Sequence, residues 1–163
     1  MTGDIVTAVV WGVIVAGAGA LLTELSPWYY ALKRPWWQPP DWLFGPAWTL
    51  ILGLASYSLY LSLRDTDDSA MVLGLFVVNG FLNLIWSPMF FTLRRPDWAL
   101  AEVPFLWLSI LAPIILLPSR LESLLMVPYL LWVSFAAFLN FTVVRLNRPF
   151  SGRPSRRESR PRS

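Results

Sequence analysis

The sequence predicts an all-α integral membrane protein, a bundle of five transmembrane helices with a Trp/Pro-rich lid between helices 1 and 2. Hydrophobic residues make up 56% of the chain and charged residues only 14%, against roughly 25% charged residues in an average soluble domain. Five apolar runs each approach the roughly 20 residues that cross a bilayer as a helix. A further segment, residues 28–48, holds five of the ten tryptophans. It is too apolar for a solvated loop and too rich in proline for one helix.

The five predicted spans follow one another with short connections. They cover residues 5–22, 45–63, 70–93, 98–118 and 124–144. All are free of charged residues except the fourth, which carries Glu102. Together they predict one transmembrane domain, residues 1–150, and a basic tail, residues 151–163, whose composition is typical of disorder. A cleavable signal peptide is the alternative for the first span, but Asp4 and the lack of a basic residue before it argue against that reading.

Basic residues are distributed unequally between the two predicted sides of the membrane. The N-terminus and the second and fourth connections carry only Arg64 and Arg120, whereas the first and third connections and the C-terminal tail carry the other 11 of the 13 Lys and Arg residues. The positive-inside rule therefore predicts an outside N-terminus, a cytoplasmic C-terminus and a cytoplasmic lid. With no Arg-rich transit peptide, this bias favours a bacterial cytoplasmic membrane. The tail is expected to contact anionic lipid rather than nucleic acid.

The chain contains no histidine and no cysteine. Thiol chemistry, disulfides, the usual zinc sites and the usual axial ligands of haem are therefore excluded. The commonest general base is missing as well. The composition predicts a protein that requires no metal or cofactor and has few groups for conventional catalysis.

Polar residues inside the third span predict that one of its faces points into the bundle. Asn79, Asn83, Trp86 and Phe90 are separated by four, three and four residues, so they lie on one helical face. The asparagines are expected either to hydrogen-bond to neighbouring helices or to form the polar edge of a binding cavity. Pro88 in the same span is expected to kink the helix.

A second inward face is predicted in the fifth span. Trp132, Ala136 and Leu139 share this face, and the small alanine leaves room either for a neighbouring helix or for a flat ligand. Trp48 provides a matching aromatic wall near the start of the second span. Pro46 is expected at the first position of that helix, where proline is tolerated.

Two further features leave alternatives open. Glu102, one turn into the fourth span, is expected to be an interfacial acid paired with an arginine, or else a polar ligand contact or proton site. Small residues recur four apart, as in Gly12 with Ala16 and Ala70 with Gly74, and such pairs let helices approach closely. They fit packing within one chain or a homodimer.

The chain resembles the TspO/MBR family, the tryptophan-rich sensory proteins and translocator proteins, also called peripheral-type benzodiazepine receptors. The resemblance covers residues 26–147, and the separate motifs follow in the order and spacing of the family. These motifs are LKRPWWQPPDW at 32–42, FGPAWT at 44–49, Asn83 with WSPMFF at 86–91, WAL at 98–100, PYLLW at 128–132, FAAFLN at 135–140 and RLN at 145–147.

The resemblance implies a five-helix bundle, often dimeric, in which the first connection closes a pocket. It also implies tetrapyrrole ligands such as porphyrin and haem, and other flat hydrophobic molecules. Together with the inward face of the third span, it predicts a ligand-binding set that is mostly aromatic. The set is Trp37, Trp42, Phe44, Trp48, Asn83, Trp86, Phe90, Trp98, Ala101, Trp132, Ala136 and Leu139.

The chemistry of a porphyrin agrees with these residue types. Trp rings stack on its planar π system, each at about 0.5–1.5 kcal/mol beyond area burial. Lys33 and Arg34 in the lid are expected at the pocket mouth, where they would meet the propionates. Since the chain has no histidine, haem would be held by stacking and burial without an imidazole ligand.

Three functions are compatible with these residues. The first is a membrane receptor or sensor of tetrapyrroles, with a transport or regulatory role as an extension. The second is light-dependent porphyrin degradation, which the resemblance would assign to Trp37 and Trp132. The third is a structural protein that binds lipid or a partner through an aromatic belt. Cholesterol recognition on the fifth span is in doubt, because Phe141 stands where the recognition pattern needs a tyrosine.

The lid itself is expected to divide its aromatic residues between two tasks. Trp28, Tyr29 and Trp36 are predicted to anchor it at the membrane interface. Trp37, Trp42, Phe44 and Trp48 are predicted to face the pocket. The prolines are expected to hold the whole segment in a fixed, non-helical path.

Overall fold

The structure, a computed structural model, describes residues 2–117 and 119–150. Six α-helices occupy most of this part of the chain: α1 Thr2–Leu22, α2 Pro27–Ala31, α3 Asp41–Asp65, α4 Ser69–Ser87, α5 Pro96–Leu116 and α6 Arg120–Asn147. A π-helical turn, Pro88–Thr92, continues α4. Five helices are long and apolar enough to cross a membrane, which confirms the predicted five-helix membrane bundle. The predicted basic tail, residues 151–163, lies outside the described residues.

Local sequence signals set the helix ends. Asp68 caps α4, because its side chain accepts a hydrogen bond from the Met71 backbone nitrogen at 3.0 Å. Ser119 and Glu122 form a reciprocal capping box at the start of α6. Proline stands at the first turn of α2 and α5, where its missing N–H costs no intrahelical hydrogen bond.

The five long helices form a closed ring in the order α1, α3, α6, α5, α4, with α4 packed back against α1. The bundle has two ends. The lid, residues 23–40, covers one end, where α3 begins and α6 finishes. The opposite end carries the start of α1, the end of α3 and the start of α6.

Close helix contacts join α1 to α3 and α4 in the half of the bundle remote from the lid, beside an open groove of about 340 Å³ that Trp11 and Phe76 help to line. We call this the packed half. A Cβ atom at Gly12 would overlap Ser56 Oγ of α3, and one at Gly80 would lie 2.9 Å from the Trp11 indole nitrogen. That nitrogen donates a hydrogen bond to the Phe76 backbone oxygen at 2.8 Å. Gly12 is therefore used for packing within the chain, which is one of the two predicted alternatives. A homodimer remains a prediction.

Three local expectations differ from the observed structure. The second span begins at Asp41, after Pro40, so Pro46 lies inside α3 rather than at its start. The lid is not wholly non-helical, because α2 forms a short helix within it. The irregularity expected at Pro88 is the change from α-helix to π-helix, since proline cannot donate the regular backbone hydrogen bond.

Candidate ligand-binding cavity

A cavity of about 400 Å³ lies beneath the lid, between the helices. Its volume falls within the range of roughly 300–1,000 Å³ that is usual for small-molecule sites. All five long helices and the lid contribute to its wall. The lining is largely apolar and aromatic, with a few polar side chains at the lid, which is the usual composition of a ligand pocket.

The first wall of the cavity is a set of three aromatic rings from α3 and α6. Trp132 meets Phe44 and Trp48 edge-to-face, with ring centroids 5.7 and 6.4 Å apart. Trp48 makes a further edge-to-face contact with Tyr129 at 6.0 Å. These contacts hold the rings upright against one another. The Trp132 indole nitrogen is buried and has no hydrogen-bond partner among the described residues, so it is an available donor.

The second aromatic wall is formed by α4 and its π-helical turn. Trp86 and Phe90 stack with centroids 5.1 Å apart and an interplanar angle of 26°. Phe91 packs beside Phe90 at 4.9 Å. The π-helical turn places Phe90 and Phe91 side by side, and both are buried. The cavity therefore has aromatic surfaces from α4 as well as from α3 and α6.

Asn83 lies at the polar edge of the cavity. Its amide nitrogen donates to the Tyr129 hydroxyl at 2.8 Å. Asn79, one turn earlier, donates to Ser109 Oγ at 3.0 Å and does not line the cavity. The two predicted roles of these asparagines are thus divided: both join neighbouring helices, and only Asn83 also lines the cavity.

A polar cluster, formed by three lid residues and Asp41 at the start of α3, closes the lid side of the cavity. The Tyr29 hydroxyl donates to an Asp41 carboxylate oxygen at 2.8 Å. The Arg34 guanidinium lies 3.4 Å from that carboxylate and 5.1 Å from the centre of the Tyr29 ring. The Gln38 amide donates to the Tyr29 hydroxyl at 3.3 Å. Burial, followed by the hydrogen bond to Asp41, raises the pKa of Tyr29 to about 12, so the phenol is neutral at physiological pH.

Two further contacts fasten the lid to the last helix. The Asn147 side chain accepts from the Lys33 backbone nitrogen and donates to the Lys33 backbone oxygen, both at 2.8 Å. Trp37 stacks on Phe138 with centroids 5.2 Å apart and an interplanar angle of 18°. These contacts tie the lid to α6 at two places.

The structure brings nine of the predicted site residues to the cavity wall. They come from the lid and from α3, α4, the π-helical turn and α6. They are Arg34, Phe44, Trp48, Asn83, Trp86, Phe90, Trp132, Ala136 and Leu139.

The other five predicted site residues do not line the cavity. Lys33 is exposed and contributes its backbone to the Asn147 contact. Trp37 packs on the outer side of α6. Trp42 is 71% exposed because it lies next to Asp41 on a helix, about 100° away from the inward face. For the same reason, Trp98 and Ala101 point outward from α5; Trp98 is covered by the Arg95 guanidinium at 4.4 Å.

Sequence reasoning found Arg34 and Asn83 but missed three other polar residues of the site. Tyr29 was expected at the membrane interface, but it is buried and lines the cavity with Gln38 and Asp41. Trp28 packs edge-to-face on Phe90, whereas Trp36 is 95% exposed, as an interfacial anchor would be. The signal available in the sequence was Asp41, which follows Tyr29 and Arg34 in one apolar segment. An acid in such a segment needs polar or charged partners.

Glu102 lies outside the cavity lining, on the inner side of α5. It is buried, and neither carboxylate oxygen has a hydrogen-bond partner in the described part of the chain. The expected pairing with an arginine is not formed there; Arg95, which lies seven residues earlier, pairs with Asp97 at 2.6 Å. Among residues 2–117 and 119–150, no group of three His, Cys, Asp or Glu side chains is placed to hold a metal ion.

Comparisons with known proteins agree with this architecture. The sequence profile of the TspO/MBR family matches residues 5–146. The chain is 39% identical over 140 residues to the tryptophan-rich protein TspO of Chlorobaculum tepidum, covering 82% of this chain and 89% of that protein. It is 41% identical over 145 residues to protein CrtK of Rhodobacter capsulatus, covering 85% and 91%. It is 33% identical over 131 residues to the human translocator protein, covering 77% and 78%.

Proposed function

This chain belongs to the TspO/MBR family, and we propose that it is a membrane receptor that binds tetrapyrroles and related flat hydrophobic ligands. The observation that carries the proposal is the cavity with aromatic walls from α3, α4 and α6. A planar π system gains both area burial and ring contacts in such a space. No charged side chain other than Arg34 and Asp41 lines it in the described part of the chain, and both belong to the lid side.

Arg34 gives the proposed site its preference for a ligand acid. Its guanidinium lies at the cavity wall and is held by a single carboxylate at 3.4 Å, a distance longer than that of a strong charge-assisted hydrogen bond. A propionate that reached the same position would add a second acceptor for the five N–H donors of arginine. Because the chain has no histidine, haem would bind here through its ring faces and its propionates alone.

Protoporphyrin titration of the purified protein in the dark tests the proposal. We expect saturable quenching of Trp fluorescence at micromolar ligand, and weaker binding in Trp132→Phe, which removes the unpaired indole donor. Arg34→Gln should weaken binding of protoporphyrin but not of its dimethyl ester, which has no carboxylate. Lys33→Gln is the matched control, because Lys33 is exposed and does not line the cavity. An absence of saturable quenching in the wild type contradicts the proposed function.

Light-dependent degradation of porphyrin is not favoured by the arrangement of the tryptophans. That hypothesis depends on Trp37 and Trp132, and only Trp132 lines the cavity. The same titration in light separates the two functions. Multiple turnovers of one defined product would establish an enzyme, whereas a stoichiometric reaction that consumes tryptophan would not.

We also propose that the lid end faces the cytoplasm of a bacterial cell. Lys33, Arg34, Arg94 and Arg95 lie at that end, whereas Arg64 and Arg120 lie at the opposite end. This excess of Lys and Arg at the lid end follows the positive-inside rule. Since the chain has no cysteine, a single cysteine at residue 66 or at residue 33 can be labelled in intact spheroplasts with an impermeant maleimide. Labelling at residue 33 but not at residue 66 would reverse the orientation.

A further inference from the structure

The contact between α1 and α3 is tight at one end and open at the other. The two helices run antiparallel, and a Cβ atom at Gly12 would overlap Ser56. Two turns closer to the lid, Gly19 on α1 and Gly45 and Thr49 on α3 line the cavity instead of packing on each other. A Cβ atom at Gly19 or at Gly45 would have nothing within 4 Å. Together these observations indicate that the helices diverge toward the lid.

This divergence opens the cavity to the outside of the bundle. Most of the cavity-lining residues are buried or half-buried. The exposed ones all lie at the end of α1, just after it, or at the start of α3. They are Ala20, Thr23, Leu25, Gly45 and Thr49. We call these five residues the rim.

The chemistry of the rim suits contact with hydrocarbon rather than water. None of its residues is charged. Both threonine hydroxyls already donate to a backbone oxygen four residues earlier: Thr23 to Gly19 at 2.8 Å and Thr49 to Gly45 at 3.0 Å. With these hydroxyls satisfied, the rim offers methyl groups, α-carbons and one leucine to a neighbour, and lipid tails tolerate such a surface.

The route through the lid is closed by comparison. Both backbone bonds of Lys33 to Asn147, the hydrogen bond of Tyr29 to Asp41 and the stacking of Trp37 on Phe138 must break before the lid can lift. No such bond between side chains of α1 and α3 crosses the gap at the rim in the described part of the chain.

We propose that the gap between α1 and α3 is a lateral entrance through which flat hydrophobic ligands pass from the bilayer into the cavity. The proposal rests on the proposed function, because it assigns a route to the same site. A tetrapyrrole dissolved in the membrane reaches the rim without crossing water. Its apolar edge slides between the small residues while the lid stays closed.

Narrowing the entrance tests this route. Gly19→Leu and Gly45→Leu each place a side chain into open space at the gap, and Gly17→Leu and Gly53→Leu are matched controls. The control glycines lie on the same two helices, would also have nothing within 4 Å of an added Cβ atom, and do not line the cavity. Protoporphyrin in phosphatidylcholine vesicles is mixed with protein reconstituted in the same lipid, and Trp quenching is followed by stopped flow.

We expect association and dissociation to slow together by about tenfold in Gly19→Leu and Gly45→Leu, since a narrower path raises the barrier in both directions. The two controls should exchange ligand like the wild type. Unchanged rates in Gly19→Leu and Gly45→Leu, faster dissociation in them because the added side chain only takes up cavity space, or faster entry in Asn147→Ala alone would overturn the lateral route. Loss of wild-type quenching would instead overturn the proposed function itself.

A second measurement uses no ligand, so it depends neither on ligand binding nor on whether the leucine variants fold. It asks whether the rim faces lipid or water. A single Gly45→Cys, labelled with a small fluorophore, should be quenched by nitroxide-bearing lipids in the same vesicles and protected from aqueous iodide. Lys33→Cys, on the exposed part of the lid, provides the reverse pattern. Quenching of the Gly45→Cys label by iodide but not by nitroxide lipids would show a water-facing rim and contradict the proposal.

Discussion

The two halves of the bundle are built from the same long helices, yet α1 contacts its neighbours closely in one half, whereas the other half encloses a cavity. In the packed half, glycines at Gly12 and Gly80 bring α1 against α3 and α4, and the remaining space is an open groove beside Trp11. Beneath the lid, the rings of Trp48 and Trp132 meet edge-to-face and form part of the cavity wall. The comparison shows how side-chain size at a helix seam decides between contact and space.

The two halves should also differ in what a substitution changes. Inside a bilayer, helices associate through close packing and hydrogen bonds, because lipid tails are as apolar as the side chains. The packed half has the close approach at Gly12 and Gly80 and the hydrogen bond of Trp11, whereas Trp48 and Trp132 border the cavity. We therefore expect the packed half to dominate the free energy of unfolding and the cavity half to dominate ligand affinity.

Substitution of Trp11 is expected to have the largest effect on the free energy of unfolding. Its ring packs edge-to-face on Phe76 at 5.4 Å, and its indole nitrogen donates to the Phe76 backbone oxygen. Trp11→Ala removes both contacts and should lower the free energy of unfolding by about 3 kcal/mol. Trp132→Ala, at the cavity, should lower it by less but weaken protoporphyrin binding by about 2 kcal/mol, or roughly 30-fold in Kd. Chemical unfolding in detergent and dark titration measure the two quantities. Equal losses of stability in both variants would break the comparison.

The next effect concerns the glycine contact in the packed half. Gly80→Ala places a methyl group 2.9 Å from the Trp11 indole nitrogen and 3.0 Å from a Val15 methyl carbon, and such overpacking costs about 1–3 kcal/mol. Gly74→Ala is the control on the same helix, because nothing lies within 4 Å of its added methyl group. It should gain up to about 1 kcal/mol from helix propensity. Thermal unfolding of the two variants in one detergent checks the opposite signs.

A smaller effect is expected at the lid, where the polar cluster holds Asp41. Asp41→Asn keeps the shape but removes the charged acceptor of Tyr29 and the partner of Arg34. The lid should open more easily by about 1–2 kcal/mol, seen as faster amide exchange over residues 29–38. Asp97→Asn removes an exposed-side ion pair with Arg95 instead, which is worth at most about 1 kcal/mol. Asp97→Asn should leave the amide exchange rates of residues 29–38 as they are in the wild type.

The last prediction concerns the pH dependence of lid stability, which depends on Tyr29. The effect is smallest near neutral pH and grows in alkaline solution. Its pKa in the folded protein is raised to about 12 by burial and by Asp41, above the ordinary value of about 10. The stabilisation from the neutral phenol is therefore complete below pH 10 and is lost as the pH rises toward 12. Amide exchange of the lid, corrected for its intrinsic rate, should accelerate across this window in the wild type. Tyr29→Phe should show no such change.

The five-helix bundle followed from apolar run length alone, since a bilayer imposes one requirement on every span. Inward faces were also predictable where periodicity decides, as for Asn83, Trp86 and Phe90 on α4 and its π-helical turn and for Trp132 and Ala136 on α6. These residues lie deep inside helical segments, where a spacing in sequence is also a direction in space.

The lid was harder to predict, because it lacks a single period. Trp37 and Trp42 have the residue type of a pocket wall, yet one packs on the outside of α6 and the other points outward from α3. Their directions depend on where α3 begins, and Asp41 begins it four residues before Gly45. A shift of one residue on a helix turns a side chain by about 100°, so composition could not assign these rings.

The contact between Asn147 and the lid has a consequence for biosynthesis. Its two bonds to the Lys33 backbone join positions 114 residues apart. The lid emerges from the ribosome early, whereas Asn147, which binds it, is the last residue of α6. During translation, the lid therefore waits unfastened until the final span has been inserted. A chain cut just before Asn147 would retain every span but lack both of these bonds, leaving the stacking of Trp37 on Phe138 as the tie between the lid and α6.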